Sequence, residues 1–88
     1  MENPMQYGEN SSIREECLMP FSEWTPPNTN EIRSAMKMAS LTGSAFANMV
    51  GVKNSRTVRR WTGGEVEIPY AAWAILCYQA GFGVIWKV

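Results

Sequence analysis

Two short helical patterns joined by a tight turn constrain the fold of this chain more than any other feature. The first pattern begins after Thr42, a candidate N-cap, and ends at Gly51, a residue type that readily closes a helix in the left-handed conformation. The second pattern runs from Ser55 to about Trp61 and ends before the Gly63-Gly64 pair. The sequence therefore predicts two consecutive helices of about two turns each, separated by a turn that contains glycine.

Small and apolar residues lie where these two helices should meet. Ala47 occupies the position at which the helices must cross closely, and Val58 and Trp61 face inward from the second helix. A small residue and a turn glycine allow a steep crossing, which is the arrangement of a helix-turn-helix. Ala47 and Val58 are 11 positions apart, one more than is usual for this motif. The turn at Lys53 and Asn54 is expected to absorb the extra residue.

Two further helices are predicted on either side of this pair. Asn28 and Glu31 form a candidate capping box for a helix that should end near Ser40. Pro69 is expected at the first position of the last helix, where its missing amide hydrogen has no partner to lose. That helix is apolar nearly all round until Gly81, so it is either the centre of the core or also a subunit contact.

The two ends of the chain carry weaker patterns. Residues 1–23 have no sustained periodicity and are expected to form an irregular, acidic N-terminal arm with at most one helical turn near residues 12–18. Trp24, just before the stiff Pro26-Pro27 pair, should pack on the core. The β-favouring tripeptide Val84-Ile85-Trp86 is short, and either pairs with a second chain or simply covers the core.

Length and composition fit this outline. The chain has 88 residues, of which 45% are hydrophobic and 18% are charged, so it suits one packed domain better than a disordered tail. We therefore predict the all-α fold class, as a helix-turn-helix bundle of four to five short helices. The domain should occupy residues 24–88 and follow the arm at residues 1–23.

The residues that the chain lacks or uses sparingly exclude several classes of function. It has no histidine and only two distant cysteines, Cys17 and Cys77, which supports neither a metal site nor a disulfide scaffold. An enzyme would need a base or an activated nucleophile, and Cys77 lies in an apolar helix. The apolar run at residues 70–78 is about half of a bilayer span, and the N-terminus lacks a secretory pattern. We expect a cytoplasmic protein that is not an enzyme and binds no cofactor, metal or membrane.

A net charge of zero conceals a separation of charge along the chain. Residues 1–25 contain five glutamates and one arginine, a net charge of −4, whereas residues 26–88 contain seven cations and three glutamates, a net charge of +4. Four of those seven cations lie between Lys53 and Arg60 without an acid among them. Such a concentration suits a polyanionic partner, although charge alone is equally compatible with a solvated surface run.

The helical period decides which way these cations point. On a wheel of about 100° per residue, Val58 at 0° and Trp61 at about 300° define the inward side of the second helix. Arg59, Arg56 and Arg60 fall at about 100°, 160° and 200°, around the outward direction of about 150°. Since arginine can donate two hydrogen bonds to guanine O6 and N7, this face suits the major groove of duplex DNA.

The same residues resemble a known family. Residues 41–52 are similar to the first half of the lambda-repressor-like, XRE-type helix-turn-helix. The run at residues 55–64, followed by residues 68–74, resembles the small KorC-type transcriptional repressors of conjugative plasmids, over about residues 24–86. The block Arg-Thr-Val-Arg-Arg-Trp at residues 56–61 is its most specific part. The resemblance implies that the positions two before and two after Val58, namely Arg56 and Arg60, are the base readers.

The remaining candidates are backbone contacts. Lys53, Asn54 and Ser55 flank the start of the second helix, which would be the recognition helix in the major groove, and they are expected to contact backbone phosphates. Thr57, nearer the core edge, is a weaker candidate for a phosphate contact. Thr42, Gly43 and Ser44 offer free amides at a helix N-terminus. The predicted DNA-binding residues are Arg56, Arg60, Arg59, Ser55, Thr57, Asn54, Lys53, Thr42, Gly43 and Ser44.

These observations together predict a regulator of transcription. We expect a repressor that binds an inverted-repeat operator as a homodimer, because one short recognition helix reads too few base pairs for useful specificity. The alternative is a protein–protein adaptor or antitoxin-like module on the same fold, served by the acidic arm and the apolar last helix. Three arginines on one outward face favour DNA, since an adaptor does not need them.

Overall fold

A computed structural model describes residues 13–87, and the regular elements in that range are all helical, with no strand among the described residues. Two short 3-10 helices, Glu15–Leu18 and Phe21–Glu23, come first. Four α-helices follow: α1 at Thr29–Met38, α2 at Gly43–Val50, α3 at Ser55–Thr62 and α4 at Tyr70–Ala80. The prediction of an all-α bundle of short helices is confirmed for this part of the chain.

Local hydrogen bonds fix the ends of the helices where the sequence placed them. At the start of α1, Asn28 Oδ1 accepts from the Glu31 amide at 2.8 Å, and Glu31 Oε1 accepts from the Asn28 amide at 2.7 Å. The Thr42 hydroxyl accepts from the Ala45 amide at 3.1 Å and caps α2. Gly51 ends α2 with a φ of 83°, in the left-handed region that glycine enters without strain. The predicted capping box, N-cap and glycine C-cap are confirmed.

Pro69 corrects one prediction by a residue. It lies immediately before α4 and not at the first helical position, because its ψ of 146° is extended. Its carbonyl oxygen accepts from the Trp73 amide at 3.0 Å, which is the bond that an N-cap residue makes. The fixed φ of proline is compatible with both the N-cap and the first helical position, so the sequence alone could not distinguish these two positions.

Helix α4 lies at the centre of the core. Its buried side chains are Ala72, Trp73, Ala74, Leu76 and Cys77. Helix α1 packs on α4 and on α3, and α2 packs on α3 and on α4. Ile85 covers the core after α4 and is buried, whereas Trp86 is 49% exposed. The tripeptide was predicted either to pair with a second chain or to cover the core, and Ile85 covers the core.

Residues 13–23, which were predicted to form part of an irregular arm, pack on the helical body. Ile13 and Cys17 are buried, and the Cys17 carbonyl accepts from the indole nitrogens of Trp24 at 3.1 Å and Trp73 at 2.7 Å. The Tyr70 hydroxyl donates to the Met19 carbonyl at 2.9 Å. Trp24 packs on the core, as predicted. The helical turn expected near residues 12–18 is present as Glu15–Leu18, and residues 1–12 lie outside the described residues.

A buried carboxylate joins this segment to α1. Glu31 is 1% exposed, and its Oε2 accepts from the amide of Arg14 at 2.9 Å and from Arg14 Nε at 2.8 Å. Burial alone would raise the pKa of Glu31, but hydrogen bonds from Arg14 and the Asn28 amide lower this pKa from its usual 4.5 to about 2. Burial raises the pKa of the Cys17 thiol to about 11 and that of Cys77 to about 12. Both thiols are therefore protonated at neutral pH.

None of the helices between residues 13 and 87 is long and apolar enough to span a bilayer. Within the same range, the cysteine and glutamate side chains form no group of three or more that could hold a metal ion.

Candidate nucleic-acid interface

Helix α3 has one buried side, as the helical period predicts. Val58 is 1% exposed and Trp61 is 3% exposed, and the Trp61 ring meets the Phe46 ring of α2 edge-on, with centroids 5.7 Å apart. Ala47, the small residue predicted at the crossing of α2 and α3, is also buried. The rotational register predicted for α3 is therefore confirmed.

Three arginines occupy the opposite side of α3. Arg56, Arg59 and Arg60 are all exposed. The guanidinium groups of Arg56 and Arg60 make no hydrogen bond or ion pair with any other residue in the range 13–87. Arg59 differs, because its Nη1 donates to the Ser55 hydroxyl one turn earlier at 3.0 Å. The guanidinium groups of Arg56 and Arg60 are therefore available to a ligand, whereas that of Arg59 is hydrogen-bonded to its own helix.

The turn between α2 and α3 accommodates the extra residue between Ala47 and Val58, since both of these residues are buried. The Val52 amide donates to the Ala47 carbonyl at 3.0 Å, which folds the chain back over the end of α2. Asn54 then caps α3, its Oδ1 accepting from the Arg56 amide at 2.9 Å. The side-chain oxygen of Asn54 is thus occupied by the cap, and its amide NH₂ group is the part left for an anion.

An open groove at the N-terminal end of α3 brings several predicted phosphate contacts together. Ser44, Lys53, Asn54 and Ser55 line it, with α2 on the other side. Two predicted contacts lie elsewhere: the Thr42 hydroxyl is used to cap α2, and Gly43, which lies beside Ser55 and Val58, lines a second groove between α1 and α3. Thr57 is half-buried, as expected for a residue at the core edge.

The second groove contains cations that were not among the residues predicted for the site. Arg33 and Lys37 of α1 line it together with Arg59 of α3. Arg33 Nη2 donates to the carbonyl of Thr62, the last residue of α3, at 2.9 Å. The i, i+4 spacing of Arg33 and Lys37 places them on one face of α1, but no pattern in the sequence relates that face to α3.

The fold and the site define a small all-helical protein with three arginines on the exposed face of one helix, and comparison with known proteins identifies its family. A "Transcriptional repressor protein KorC" of Escherichia coli is 48% identical over 79 residues, which cover 88% of this chain and 93% of the relative. A second protein of the same description and organism is 53% identical over 78 residues, which cover 86% and 92%. The chain belongs to the KorC family of transcriptional repressor proteins. No protein-family model and no solved structure matches it.

Proposed function

We propose that this protein is a transcriptional repressor that binds duplex DNA through a lambda-repressor-like helix-turn-helix formed by α2 and α3. The observation that carries the proposal is the cluster of Arg56, Arg59 and Arg60 on the exposed side of α3, opposite Val58 and Trp61. Membership of the KorC family supports repression as the outcome of binding. An adaptor on the same fold would gain nothing from two unpartnered guanidinium groups on one helix face.

In this proposal α3 enters the major groove and the residues around it hold the backbone. Arg56 and Arg60 lie one helical turn apart, so both guanidinium groups can reach base edges at once. Lys53, Asn54, Ser55 and Ser44 meet phosphates from the N-terminal groove, which positions α3 without reading sequence. Bound at a promoter, the protein blocks access of the polymerase, and its target genes are expected on a plasmid or another mobile element in a bacterial cytoplasm.

The repressor acts as a homodimer in this proposal. Tyr70, Ala71, Ala74, Ile75 and Trp86 line an apolar groove that contains no charged side chain. Ile75 is 38% exposed and Trp86 is 49% exposed, so water contacts apolar surface that a second copy would cover. Two copies of α3 on a two-fold axis would read an inverted repeat, which supplies the specificity that one helix lacks.

Salt dependence tests whether the partner is nucleic acid. Because Lys53 and the arginines would displace counterions from DNA, the logarithm of the association constant should fall linearly with the logarithm of the salt concentration. The expected slope is about −0.9 for each phosphate neutralised. Fluorescence anisotropy with a short duplex of arbitrary sequence measures it. Binding that is absent, or flat between low and physiological salt, would favour the adaptor alternative.

A charge placed in the apolar groove tests the dimer. Ile75→Glu should give a monomer, because a carboxylate in a buried apolar contact is strongly destabilising. Without the dimer, specific binding should weaken by about tenfold or more, while sequence-independent binding persists. Sedimentation velocity at micromolar protein, with and without operator, is the measurement. Asn30→Glu adds the same charge at an exposed position on α1 and is the matched control.

The dimer proposal fails if the unmodified protein sediments as a monomer on a single asymmetric site. It also fails if Ile75→Glu and Asn30→Glu associate equally well.

A further inference from the structure

We propose that Arg33, Lys37 and Arg59 form a second phosphate-binding groove, between α1 and α3, that holds the DNA backbone in addition to the groove around Lys53. This inference rests on the proposed function above and adds two residues of α1 to the interface. None of the residues that line this groove is acidic, and three of them carry positive charge.

The structure holds these cations in place in different ways. Arg33 is tied to the end of α3 by its hydrogen bond to the Thr62 carbonyl at 2.9 Å. Arg59 is held by the Ser55 hydroxyl at 3.0 Å, which lays it along the helix at the margin of the base-reading face. Lys37 is exposed, and its ammonium group makes no hydrogen bond or ion pair with another described residue. Two ordered guanidinium groups and one unpartnered ammonium group therefore share a groove.

Charge favours an anion at this position. Cations that line one groove repel one another unless an anion lies among them. Both ion pairs in the described range are made by Arg14, with Glu16 and with Glu31, so no carboxylate there pairs with the cations of this groove. Gly43 also lines the groove, so the N-terminal end of α2 adds the positive end of a helix dipole beside the three side chains. A phosphate diester is the anion that a protein of this family would meet repeatedly.

The position of this groove beside α3 explains how it would add to the interface. The major groove of B-form DNA is about 12 Å wide, close to the diameter of a helix with its side chains, so a helix that lies in it has phosphates on both flanks. Arg33 and Lys37 of α1 lie beside the flank of α3 that carries Arg59, and Arg59 reaches back to Ser55 in the first turn of α3. Phosphate contacts along this flank would hold α3 in place while Arg56 and Arg60 read the bases.

Lys37→Gln tests this groove, because Lys37 is exposed and the substitution removes no hydrogen bond or ion pair within the described residues. Binding to a short duplex of arbitrary sequence is measured by fluorescence anisotropy over a range of salt concentrations. The slope of log K against log salt should become less negative by about 0.9, and Lys37→Arg should restore it. Lys87→Gln removes an exposed lysine outside the groove and should leave the slope unchanged. Circular dichroism and thermal melting of each variant establish that it is folded.

Each outcome decides the proposal. A slope that is unchanged in Lys37→Gln, or reduced equally by Lys87→Gln, overturns it, because the groove then takes no phosphate or only total charge matters. A change in preference at a single base pair of an operator also overturns it, since Lys37 would then read a base. If the unmodified protein shows no salt-dependent binding, the proposed function itself fails, which is distinct from a normal slope that Lys37→Gln does not alter.

Discussion

Arg60→Ala should weaken binding to operator DNA by about 1–3 kcal/mol and relax sequence preference at one base pair only. Arg56→Ala should do the same at a different base pair. The physical reason is that a fork of two hydrogen bonds to guanine is lost, while the contacts that hold the backbone remain. If the two arginines act independently, the double variant loses about 2–6 kcal/mol and retains its sequence-independent affinity. Binding to a panel of single-base operator variants measures each effect.

Lys53→Ala is the control that separates reading from holding. Lys53 lies in the turn before α3 and is exposed, so its loss should weaken all sequences alike and reduce the salt slope by about one unit. Arg59→Ala should behave in the same way, because the Arg59 side chain lies at the margin of the face. If Arg60→Ala lost affinity evenly across the panel while Lys53→Ala changed base preference, the proposed placement of α3 in the groove would be wrong.

Glu31→Ala should reduce the free energy of unfolding by about 3 kcal/mol. The substitution removes the acceptor of the Arg14 and Asn28 amides and of the Arg14 guanidinium, and a hydrogen bond to a charged group contributes about 1.5–3 kcal/mol net of the bonds to water that it replaces. The capping box of α1 is lost with it. Urea unfolding followed by circular dichroism measures the change. Glu23→Ala, which removes an exposed glutamate from the 3-10 helix that precedes α1, should alter stability by less than about 0.5 kcal/mol.

The same carboxylate should govern stability in acid. Its pKa is about 2 in the folded protein and near 4.5 when unfolded, so the unfolded state binds the proton first as the pH falls. The stabilisation is complete above about pH 4.5 and is lost progressively as the pH falls towards 2. A shift of this size corresponds to roughly 3 kcal/mol. Glu31→Ala should lack this component of the acid transition, and an unchanged pH profile would contradict the assignment.

Much of the helical framework could be predicted because its determinants are local. The capping box of Asn28 and Glu31, the Thr42 cap and the left-handed Gly51 each depend on residues within one turn. The outward direction of Arg56 and Arg60 follows from the period of α3 and the two apolar residues that it buries. Their roles in DNA binding stay predictions, which the substitutions above test.

The sequence by itself determined which segments become helices, where most of them start and stop, and which side of α3 faces the core, because these properties depend on neighbours three or four residues apart. Tertiary structure alone decided that residues 13–23 belong to the packed body, through bonds such as the one from Trp73 to Cys17, 56 positions away. It also brought Arg33 and Lys37 beside Arg59. Contacts over such separations carry no periodic signal, since they exist only once α1, α3 and α4 have packed together.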